Sequence, residues 1–323
     1  MSRFRLPLLA IALMHLGASP ALAHPGAGLV VGADGAIYFT FGPSHRIWAV
    51  SPDGDARIVA EGGLDQAFRV PHHLVLDAEG NLCTASDAGG LVFKVGPDGA
   101  LKQVYPPEGQ APAFIIGAGG DPFTIDRQGR IIGIDAGPDG DHTIIRRIEA
   151  DGRVTTLAGG PRGHTDGRGS AARFGDLHSA CFAWGPDGPL YLTDDGTRVR
   201  IVSPDGDVTT LAGGGDGPAP FTSAMGLVVA PDGAVLVADA AARCIRHITP
   251  TGAATTLAGL GEAGGDDGPA LRVRFDEPVG IALDREGRIV VLDVAPGRGG
   301  AVIHLRRIDE SGTVSTIARI DEP

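Results

Sequence analysis

The sequence has few of the features that mark membrane-spanning, disulfide-rich or nucleic-acid-binding proteins. Only three of its 323 residues are cysteines, and 5% are aromatic. Beyond the N-terminal region no stretch reaches about 18 apolar residues without a charge, so no membrane-spanning helix is predicted. Acidic residues outnumber basic ones by 39 to 27, which gives a formal net charge of −12. This excess argues against a nucleic-acid or anionic-lipid partner, and it makes a cation the better candidate.

The three cysteines, Cys83, Cys181 and Cys244, lie in separate strand-like apolar runs. An odd number leaves at least one thiol unpaired within a monomer, which argues against a disulfide framework. We therefore expect all three to be small buried hydrophobic residues.

Several motifs that carry enzyme chemistry are also missing. There is no Gly-x-Ser-x-Gly elbow, no His-Glu-x-x-His pair, no cysteine pair with zinc spacing and no phosphate-binding loop. Glycine is abundant, with 51 residues, but it lies in turns. The sequence therefore indicates a fold more clearly than a reaction.

The first 23 residues have the pattern of a secretory signal peptide. Arg3 and Arg5 precede an apolar run that is too short to span a bilayer, and Ala21-Leu22-Ala23 is a small-residue cleavage pattern. We expect cleavage near Ala23 and export to the periplasm or the exterior. Residues 24–323 would then form a single domain, because repeats cover them without a linker.

A four-strand unit repeats along the chain, and residues 225–260 show it most clearly. Four short apolar runs there are separated by turn residues, with Asp232-Gly233 and Thr251-Gly252 in the tight turns. We name the four strands of a unit a, b, c and d. Repetition every 45 to 60 residues or so, with four strands per unit, is typical of a β-propeller whose blades are the units.

Twelve turn glycines align six such units. They are Gly35, Gly80, Gly129, Gly188, Gly233 and Gly287 between strands a and b, and Gly54, Gly99, Gly152, Gly206, Gly252 and Gly312 between strands c and d. Tight hairpin turns commonly need a positive φ, which glycine adopts at little cost. The sequence therefore predicts an all-β, six-bladed propeller with four antiparallel strands per blade and strand a nearest the axis.

Units such as Phe275-Asp-Glu-Pro-Val-Gly-Ile-Ala-Leu-Asp284, followed by Gly287-Arg-Ile-Val-Val-Leu-Asp293, resemble the NHL-repeat propellers. The likeness covers nearly the whole chain after the signal peptide. It implies a fold rather than a function, because such propellers include lyases, lactonase-like hydrolases and interaction modules. The chain begins with strand a of one blade and ends with strand d of another, so we expect ring closure to rest on packing between blades six and one.

Antiparallel order places the short a–b and c–d turns on one face of the disc. The b–c and d–a loops share the other face, which we call the variable-loop face, and binding usually resides on such loops. Two d–a loops, residues 163–174 and 265–275, are alike and match the common NHL inter-blade loop, so we interpret them, with His164, as structural. We also treat His247 and His304 as c-strand residues far from the channel.

Strand b ends in Asp135, Asp194, Asp239 and Asp293 in blades three to six, but in Phe41 and Ser86 in blades one and two. A carboxylate at this place can accept hydrogen bonds from nearby backbone amides, so a structural role is expected. Its loss in two adjacent blades marks an asymmetry of the ring.

A second asymmetry lies just before strand a, next to the central channel. Around the ring this position holds Ala27, His72, Asp121, Ala180, Met225 and Val279. Four of the six are apolar fillers. His72 and Asp121 are not, and His73 and His178 lie one or two positions from the same ring. We predict that His72, His73, Asp121 and His178 form a ligand-binding site at the channel mouth.

Two local likenesses bear on this site. The segment from Val70 to Asn81 is similar to the Pro-His segments of the peptidyl-hydroxyglycine amidating lyases, six-bladed propellers whose channel metal is held by three histidines. Only His72 matches their ligands, so the resemblance implies His72 as one metal ligand. The segment Gly32-Ala-Asp-Gly-Ala-Ile-Tyr-Phe-Thr40 is similar to the streptogramin lyases.

Three functional classes follow. The first is an exported propeller that binds a small molecule, peptide or protein partner at the channel mouth. The second is a metal-dependent lyase or hydrolase, amidating-lyase-like or lactonase-like, that uses the same pocket with a divalent ion, zinc or calcium, in the channel. The third is a scaffold that uses its outer strands or disc face for protein contacts. Asp121, Asp194 and Asp195 on the variable-loop face favour a cationic ligand.

Overall fold

Six sheets of antiparallel strands follow one another along the chain in a computed structural model. The structure describes residues 28–41, 44–62, 73–86, 90–112, 114, 121–137, 140–215 and 219–322. The signal-peptide boundary and His72 lie outside these ranges. No helix within them is long and apolar enough to cross a membrane.

Blades one to three each have four strands in the order a, b, c, d. The strands of blade one are β1 (Leu29–Val31), β2 (Ile37–Phe41), β3 (Arg46–Val50) and β4 (Ala56–Glu61). The strands of blade two are β5 (Leu74–Leu76), β6 (Leu82–Ser86), β7 (Leu91–Val95) and β8 (Leu101–Tyr105). The strands of blade three are β9 (Phe123–Ile125), β10 (Ile131–Asp135), β11 (His142–Ile148) and β12 (Val154–Pro161).

Blades four and six have a fifth strand, whereas blade five has four. The strands of blade four are β13 (Gly167–Arg168), β14 (Phe182–Trp184), β15 (Leu190–Asp194), β16 (Arg198–Val202) and β17 (Asp207–Ala212). The strands of blade five are β18 (Ala224–Val229), β19 (Val235–Asp239), β20 (Cys244–Ile248) and β21 (Ala254–Ala258). The strands of blade six are β22 (Gly268–Pro269), β23 (Pro278–Leu283), β24 (Ile289–Pro296), β25 (Ala301–Ile308) and β26 (Thr313–Glu322).

The prediction of six blades is confirmed, and the a strands line the axis as expected. β1, β5, β9, β14, β18 and β23 contact one another in that circular order, and β23 contacts β1. The prediction of four strands in every blade is wrong for blades four and six. There the d–a loop runs along the outer edge before it returns to the centre, and two of its residues pair with strand d, as Gly167 does with Val208.

Aspartates fix these two loops to the outer strands, which confirms that the loops are structural. Asp166 accepts hydrogen bonds from the amide and the hydroxyl of Thr210, at 3.0 and 2.8 Å. Asp267 accepts the same pair from Thr316, at 3.0 and 2.9 Å. In blades four and six the loop thereby covers strand d, the outer edge strand, and protects its backbone groups from pairing with another chain.

A buried arginine lies beneath each of these loops. Arg200 is 0% exposed, and its Nη1 donates to Oδ2 of Asp194 at 2.5 Å while its guanidinium stacks 5.0 Å from the ring centre of Phe174. Arg306 stacks in the same way on Phe275, at 4.8 Å. Buried charge is costly unless it is paired and hydrogen-bonded, so Arg200 and Asp194 at the end of strand b form one structural unit.

The blade asymmetry seen at the end of strand b has the same explanation. The register places Trp48 in blade one and Phe93 in blade two where blade four has Arg200. These two blades lack the aspartate as well, since Phe41 and Ser86 stand in its place. Blades one and two thus lack both the arginine and the aspartate, and they have an aromatic residue at the arginine position. The absence of the aspartate in these two blades therefore reflects how they are packed.

The remaining aspartates accept backbone hydrogen bonds, as expected. Asp239 accepts from the amides of Thr222 and Ser223, at 3.1 and 2.9 Å. Asp135 accepts from the amide of Gly137, at 2.9 Å. Each carboxylate fixes a loop on the variable-loop face to the end of strand b.

Packing between blades six and one closes the ring, which confirms the expected mode of closure. Leu29 and Phe39 of blade one share an apolar core with Leu292 and Ile303 of blade six. Glu322, 3% exposed, adds a polar contact at the end of β26. It accepts hydrogen bonds from Trp48 Nε1 at 2.5 Å, Ser44 Oγ at 3.1 Å and Arg46 Nη1 at 3.2 Å.

All three cysteines are buried and free, as predicted. Burial raises the pKa of the Cys83 and Cys181 thiols to about 12, so neither is a thiolate at neutral pH. They act as small hydrophobic residues of the core.

All twelve turn glycines have a positive φ, between 75° and 96°. Alanine substitutions at two of them distinguish the cost of backbone strain from the cost of a steric clash. A Cβ on Gly233 would meet only the ring of Pro250, no closer than 3.7 Å, whereas one on Gly252 would lie 2.2 Å from the carbonyl oxygen of Leu211 in the neighbouring blade. We expect Gly233→Ala to lower the free energy of unfolding by about 1 kcal/mol and Gly252→Ala to lower it clearly more. Urea denaturation of both variants checks this, and equal losses would show that blade five does not approach blade four so closely.

Candidate functional site

The structure brings together two of the predicted site residues. Asp121 precedes β9 of blade three, His178 precedes β14 of blade four, and Nδ1 of His178 lies 2.8 Å from Oδ1 of Asp121. The side chain of His178 is 49% exposed and that of Asp121 is 22% exposed. The pair thus bridges two adjacent blades at the mouth of the channel, on the variable-loop face.

The segment before strand a is two residues longer in blade four than in blade five, and this explains why His178 lies outside the regular ring position. Phe182 in blade four and Leu227 in blade five occupy the same position in strand a. Each pairs with the strand-b residue that lies two positions before the aspartate at the end of that strand. Phe182 follows Phe174 by eight positions, whereas Leu227 follows Phe221 by only six. The two extra residues form a turn, closed by a hydrogen bond of 2.9 Å from the Ala180 amide to the Leu177 carbonyl, and His178 lies in that turn.

Hydrogen bonds fix both the backbone and the ring of His178. Its amide donates to Oδ1 of Asp176 at 2.9 Å. A carboxylate only accepts hydrogen bonds, so Nδ1 of the imidazole donates to Asp121, and in the neutral imidazole Nε2 carries the lone pair. An imidazole oriented by a carboxylate in this way can accept a proton or a hydrogen bond at Nε2, or bind a metal ion there.

The other predicted residues lie elsewhere or outside the described ranges. His73 lies at the contact between blades one and two, where its carbonyl accepts a hydrogen bond from Thr84 Oγ1 at 2.9 Å. Its backbone packs against Gly28, because a Cβ on Gly28 would be 2.8 Å from the His73 carbonyl carbon. His72 is outside the described residues, so its role as a ligand stays a prediction.

The remaining described ring positions are apolar and buried, as expected. Ala180, Met225 and Val279 are 4%, 8% and 7% exposed. Met225 and Val279 pack into the same apolar core as Leu29 of blade one. Polar chemistry at the described part of the channel mouth therefore belongs to blades three and four.

The carboxylates of Asp194 and Asp195 are already occupied within blade four. Asp194 is 0% exposed and pairs with Arg200, while its Oδ1 accepts the Gly175 amide at 2.8 Å. Asp195 accepts the Asp176 amide at 2.5 Å and lies 3.0 Å from Nε2 of His164. Both carboxylates therefore already have hydrogen-bond partners within blade four.

Two sets of potential metal-ligating groups lie together among the described residues. Each set offers three ligand atoms that all lie within 4.8 Å of one another; the sets are His164, Asp194 and Asp195 in blade four, and Asp276, Asp293 and His304 in blade six. Neither includes the Asp121–His178 pair, so zinc or calcium in the channel stays a prediction. Sequence analysis missed the second set, although His304 lies directly opposite Asp293 in the b–c register.

The opposite face of the disc has a groove between blades three and four, under the short turns. Its arginines are largely neutralised within the fold, since Arg130 lies 2.6 Å from Asp126 and Arg147 lies 2.8 Å from Glu149. Trp184 forms part of its wall and donates its Nε1 proton to Thr124 Oγ1 at 2.9 Å. We interpret this groove as part of the interface between blades.

Comparison with known proteins gives a fold and a short sequence match. No family model matches the chain. A curated relative, protein SUPPRESSOR OF QUENCHING 1, chloroplastic, from Arabidopsis thaliana, is 36% identical over 70 residues, which is 21% of this chain. The match spans only 7% of that protein's length. The NHL-repeat assignment therefore rests on the sequence resemblance.

Solved structures with similar folds include enzymes and a binding protein. A gluconolactonase from Xanthomonas campestris has a TM-score of 0.57 at 15% identity and covers 84% of each chain. Virginiamycin B lyase from Staphylococcus aureus has a TM-score of 0.53 at 15% identity, covering 92% of this chain and 85% of that one. An auxiliary nutrient binding protein from Bacteroides thetaiotaomicron has a TM-score of 0.57 at 14% identity, covering 83% and 67%. At these low identities the likeness shows the β-propeller fold alone.

Proposed function

We propose that the protein binds a ligand at the channel mouth on its variable-loop face, with His178 in contact with the ligand and Asp121 orienting it. The observation that carries this proposal is the 2.8 Å contact between the two side chains across the blade boundary. It leaves Nε2 of a half-exposed imidazole as an acceptor at a fixed place, on a ring whose other described positions are apolar.

The ligand we favour is a small molecule or peptide that presents an N–H or O–H donor to Nε2. Arg162 lies beside the site, with its Nη1 3.5 Å from Oδ2 of Asp176, so the mouth offers groups of both signs. A zwitterionic or hydroxylated ligand suits such a surface better than a simple anion. The nutrient-binding propeller among the structural neighbours is compatible with a binding role.

The second candidate is a metal-dependent lyase or hydrolase that uses the same mouth. The oriented imidazole favours it, because a carboxylate-held histidine is a common arrangement for a metal ligand or a general base. The structural neighbours include a lactonase and a lyase. A divalent ion, zinc or calcium, with His72 as a further ligand, would supply Lewis-acid chemistry. Chelator-sensitive turnover of a lactone that His178→Ala abolishes is the result that would favour this candidate over simple binding.

Thermal-shift measurements on the full chain test the binding site. We expect a ligand from a panel of lactones, sugar acids and short peptides, tested with the protein stripped of metal, to raise the melting temperature of the wild type. A probe at about 100 times its Kd adds roughly 2.7 kcal/mol of stability. His178→Ala should lose the shift and Asp121→Asn should weaken binding about tenfold, the factor that corresponds to one hydrogen bond of about 1.4 kcal/mol.

His247→Ala is the matched control, since His247 is a partly buried histidine in β20 that faces no part of this mouth. It should keep the full shift. A ligand-induced shift that is the same in wild type and His178→Ala would place the site elsewhere. A wild type without bound metal by elemental analysis and without any ligand-induced shift would favour the scaffold function.

We further propose, on the sequence alone, that the chain works outside the cytoplasm after cleavage near Ala23. N-terminal sequencing of the protein recovered from a periplasmic or culture fraction tests this. A mature N-terminus at His24 is expected, and an intact Met1 in the exported fraction would contradict it.

A further inference from the structure

Three potential metal-ligating side chains of blade six lie together at one end of the blade. Ligand atoms of Asp276, Asp293 and His304 all lie within 4.8 Å of one another. Asp293 is 0% exposed, while Asp276 and His304 are half-buried. They come together because β24 and β25 place His304 opposite Asp293, and the loop before β23 brings Asp276 to the same end of the blade.

The His304 ring has an unsatisfied nitrogen. Its Nδ1 is buried and makes no hydrogen bond. The backbone at Gly265 covers this edge of the ring, since a Cβ there would lie 3.2 Å from Nδ1. A neutral imidazole keeps a lone pair available on one of its ring nitrogens. A buried nitrogen without a partner is uncommon in a folded protein and requires an explanation.

Asp293 is also less well compensated than its counterpart in blade four. Arg200 lies 2.5 Å from Asp194, but the equivalent Arg306 lies 3.7 Å from Asp293. Arg306 instead donates to the carbonyls of Arg274 and Asp266 and contacts Asp267 at 3.3 Å. Apart from this distant arginine, two backbone amides, those of Asp276 and Glu277, donate to its carboxylate. A cation here would compensate the carboxylate and occupy the lone pair of His304.

We infer that Asp276, Asp293 and His304 form a binding site for a divalent first-row transition ion, with zinc as the natural occupant. One imidazole nitrogen and two carboxylate oxygens suit zinc, whereas calcium takes oxygen ligands alone. Bonds of 2.0 to 2.2 Å in tetrahedral geometry place donor atoms about 3.3 Å apart. The three side chains therefore need to approach one another by roughly 1.5 Å at most, and a water molecule would complete the coordination. This site is separate from the channel mouth and does not depend on the proposed function.

Blade four provides a matched control within the same chain. His164, Asp194 and Asp195 are also one histidine and two aspartates, although only Asp194 is equivalent by register to a member of the blade-six set, Asp293. Nε2 of His164 already contacts Asp195 at 3.0 Å, and Asp194 is paired with Arg200. The same three residue types are thus satisfied internally in blade four and left incomplete in blade six.

The test uses the full chain, stripped with a chelator and titrated with Zn²⁺ or Co²⁺. We expect the wild type to bind one equivalent of Zn²⁺ and to give a visible Co²⁺ absorption band of a nitrogen- and oxygen-ligated ion. His304→Gln and, as a second variant, Asp276→Asn should each bind Zn²⁺ at least tenfold more weakly and lose that band. His164→Gln should retain both, and Ca²⁺ should not compete; His178→Ala, measured in parallel, reports an ion bound at the channel mouth.

Circular dichroism confirms that each variant is folded before its metal content is compared. Three results would overturn the inference. The first is that the wild type binds no Zn²⁺, and the second is that His304→Gln binds Zn²⁺ as tightly as the wild type does. The third is that His164→Gln or His178→Ala loses the ion while His304→Gln retains it. The last result would move the metal to blade four or to the channel mouth.

Discussion

Replacing Arg200 with methionine is expected to lower the free energy of unfolding by about 3 to 5 kcal/mol, the cost of breaking a buried ion pair from one side. Both side chains of the Arg200–Asp194 pair are 0% exposed. Methionine fills much of the arginine volume, so the loss reports chiefly the carboxylate of Asp194 left buried without its partner. Equilibrium denaturation in guanidinium chloride measures the difference.

Arg168→Met is the control for this substitution. Arg168 also lies in blade four, but its side chain is 71% exposed and its Nε is 3.8 Å from Asp207. An exposed pair of this kind contributes about 0 to 1 kcal/mol, so the control should be close to wild type. Adding Asp194→Asn to Arg200→Met should recover part of the loss, because the uncompensated charge is then removed. If Arg200→Met alone were as stable as the wild type, the Arg200–Asp194 ion pair would not contribute to the stability of blade four.

Replacing Glu322 with alanine is expected to open the contact that closes the ring. The change leaves Nε1 of the partly buried Trp48 without its acceptor and removes one of the two carboxylate partners of Arg46, which keeps Glu61 at 2.9 Å. Because Arg46 is 25% exposed, solvent screens part of the ion pair. We expect a loss of roughly 2 to 3 kcal/mol, mainly from the unsatisfied Trp48 Nε1 and the lost hydrogen bonds. Urea denaturation followed by tryptophan fluorescence reports both stability and the environment of Trp48.

Asp321→Ala is the neighbouring control, since Asp321 is 76% exposed and only contacts Arg319 at 3.3 Å. It should cost less than about 0.5 kcal/mol, as is usual for a surface substitution. Equal stability of the two variants would mean that apolar packing alone closes the ring.

The blade count could be predicted from sequence because its signal is local. A tight turn imposes a backbone conformation on a single residue, and glycine at twelve such places marks both turns of all six blades. The fifth strands could not be predicted in this way. They depend on contacts between residues far apart in the chain, such as Asp166 with Thr210. Loops 163–174 and 265–275 looked alike, but nothing in their sequence showed that they lie along strand d.

The candidate site could be predicted only in part. The ring position of Asp121 and the nearby histidine at 178 were visible as exceptions to an apolar repeat, and the structure joins them. The position of His178 in a turn depends on the two extra residues between Phe174 and Phe182. The sequence identifies His304 only as a residue of strand c, because its proximity to Asp276 depends on how the loop before β23 folds back.

A crystal structure of the full chain with its bound ligand tests the channel-mouth site most directly. The probe to soak is the one that gives the largest thermal shift in the wild type. We predict density for that molecule within hydrogen-bond or coordination distance of Nε2 of His178, with the Asp121 contact intact. Density for the same molecule on the opposite face or along the outer strands, with only solvent at His178, would contradict the account.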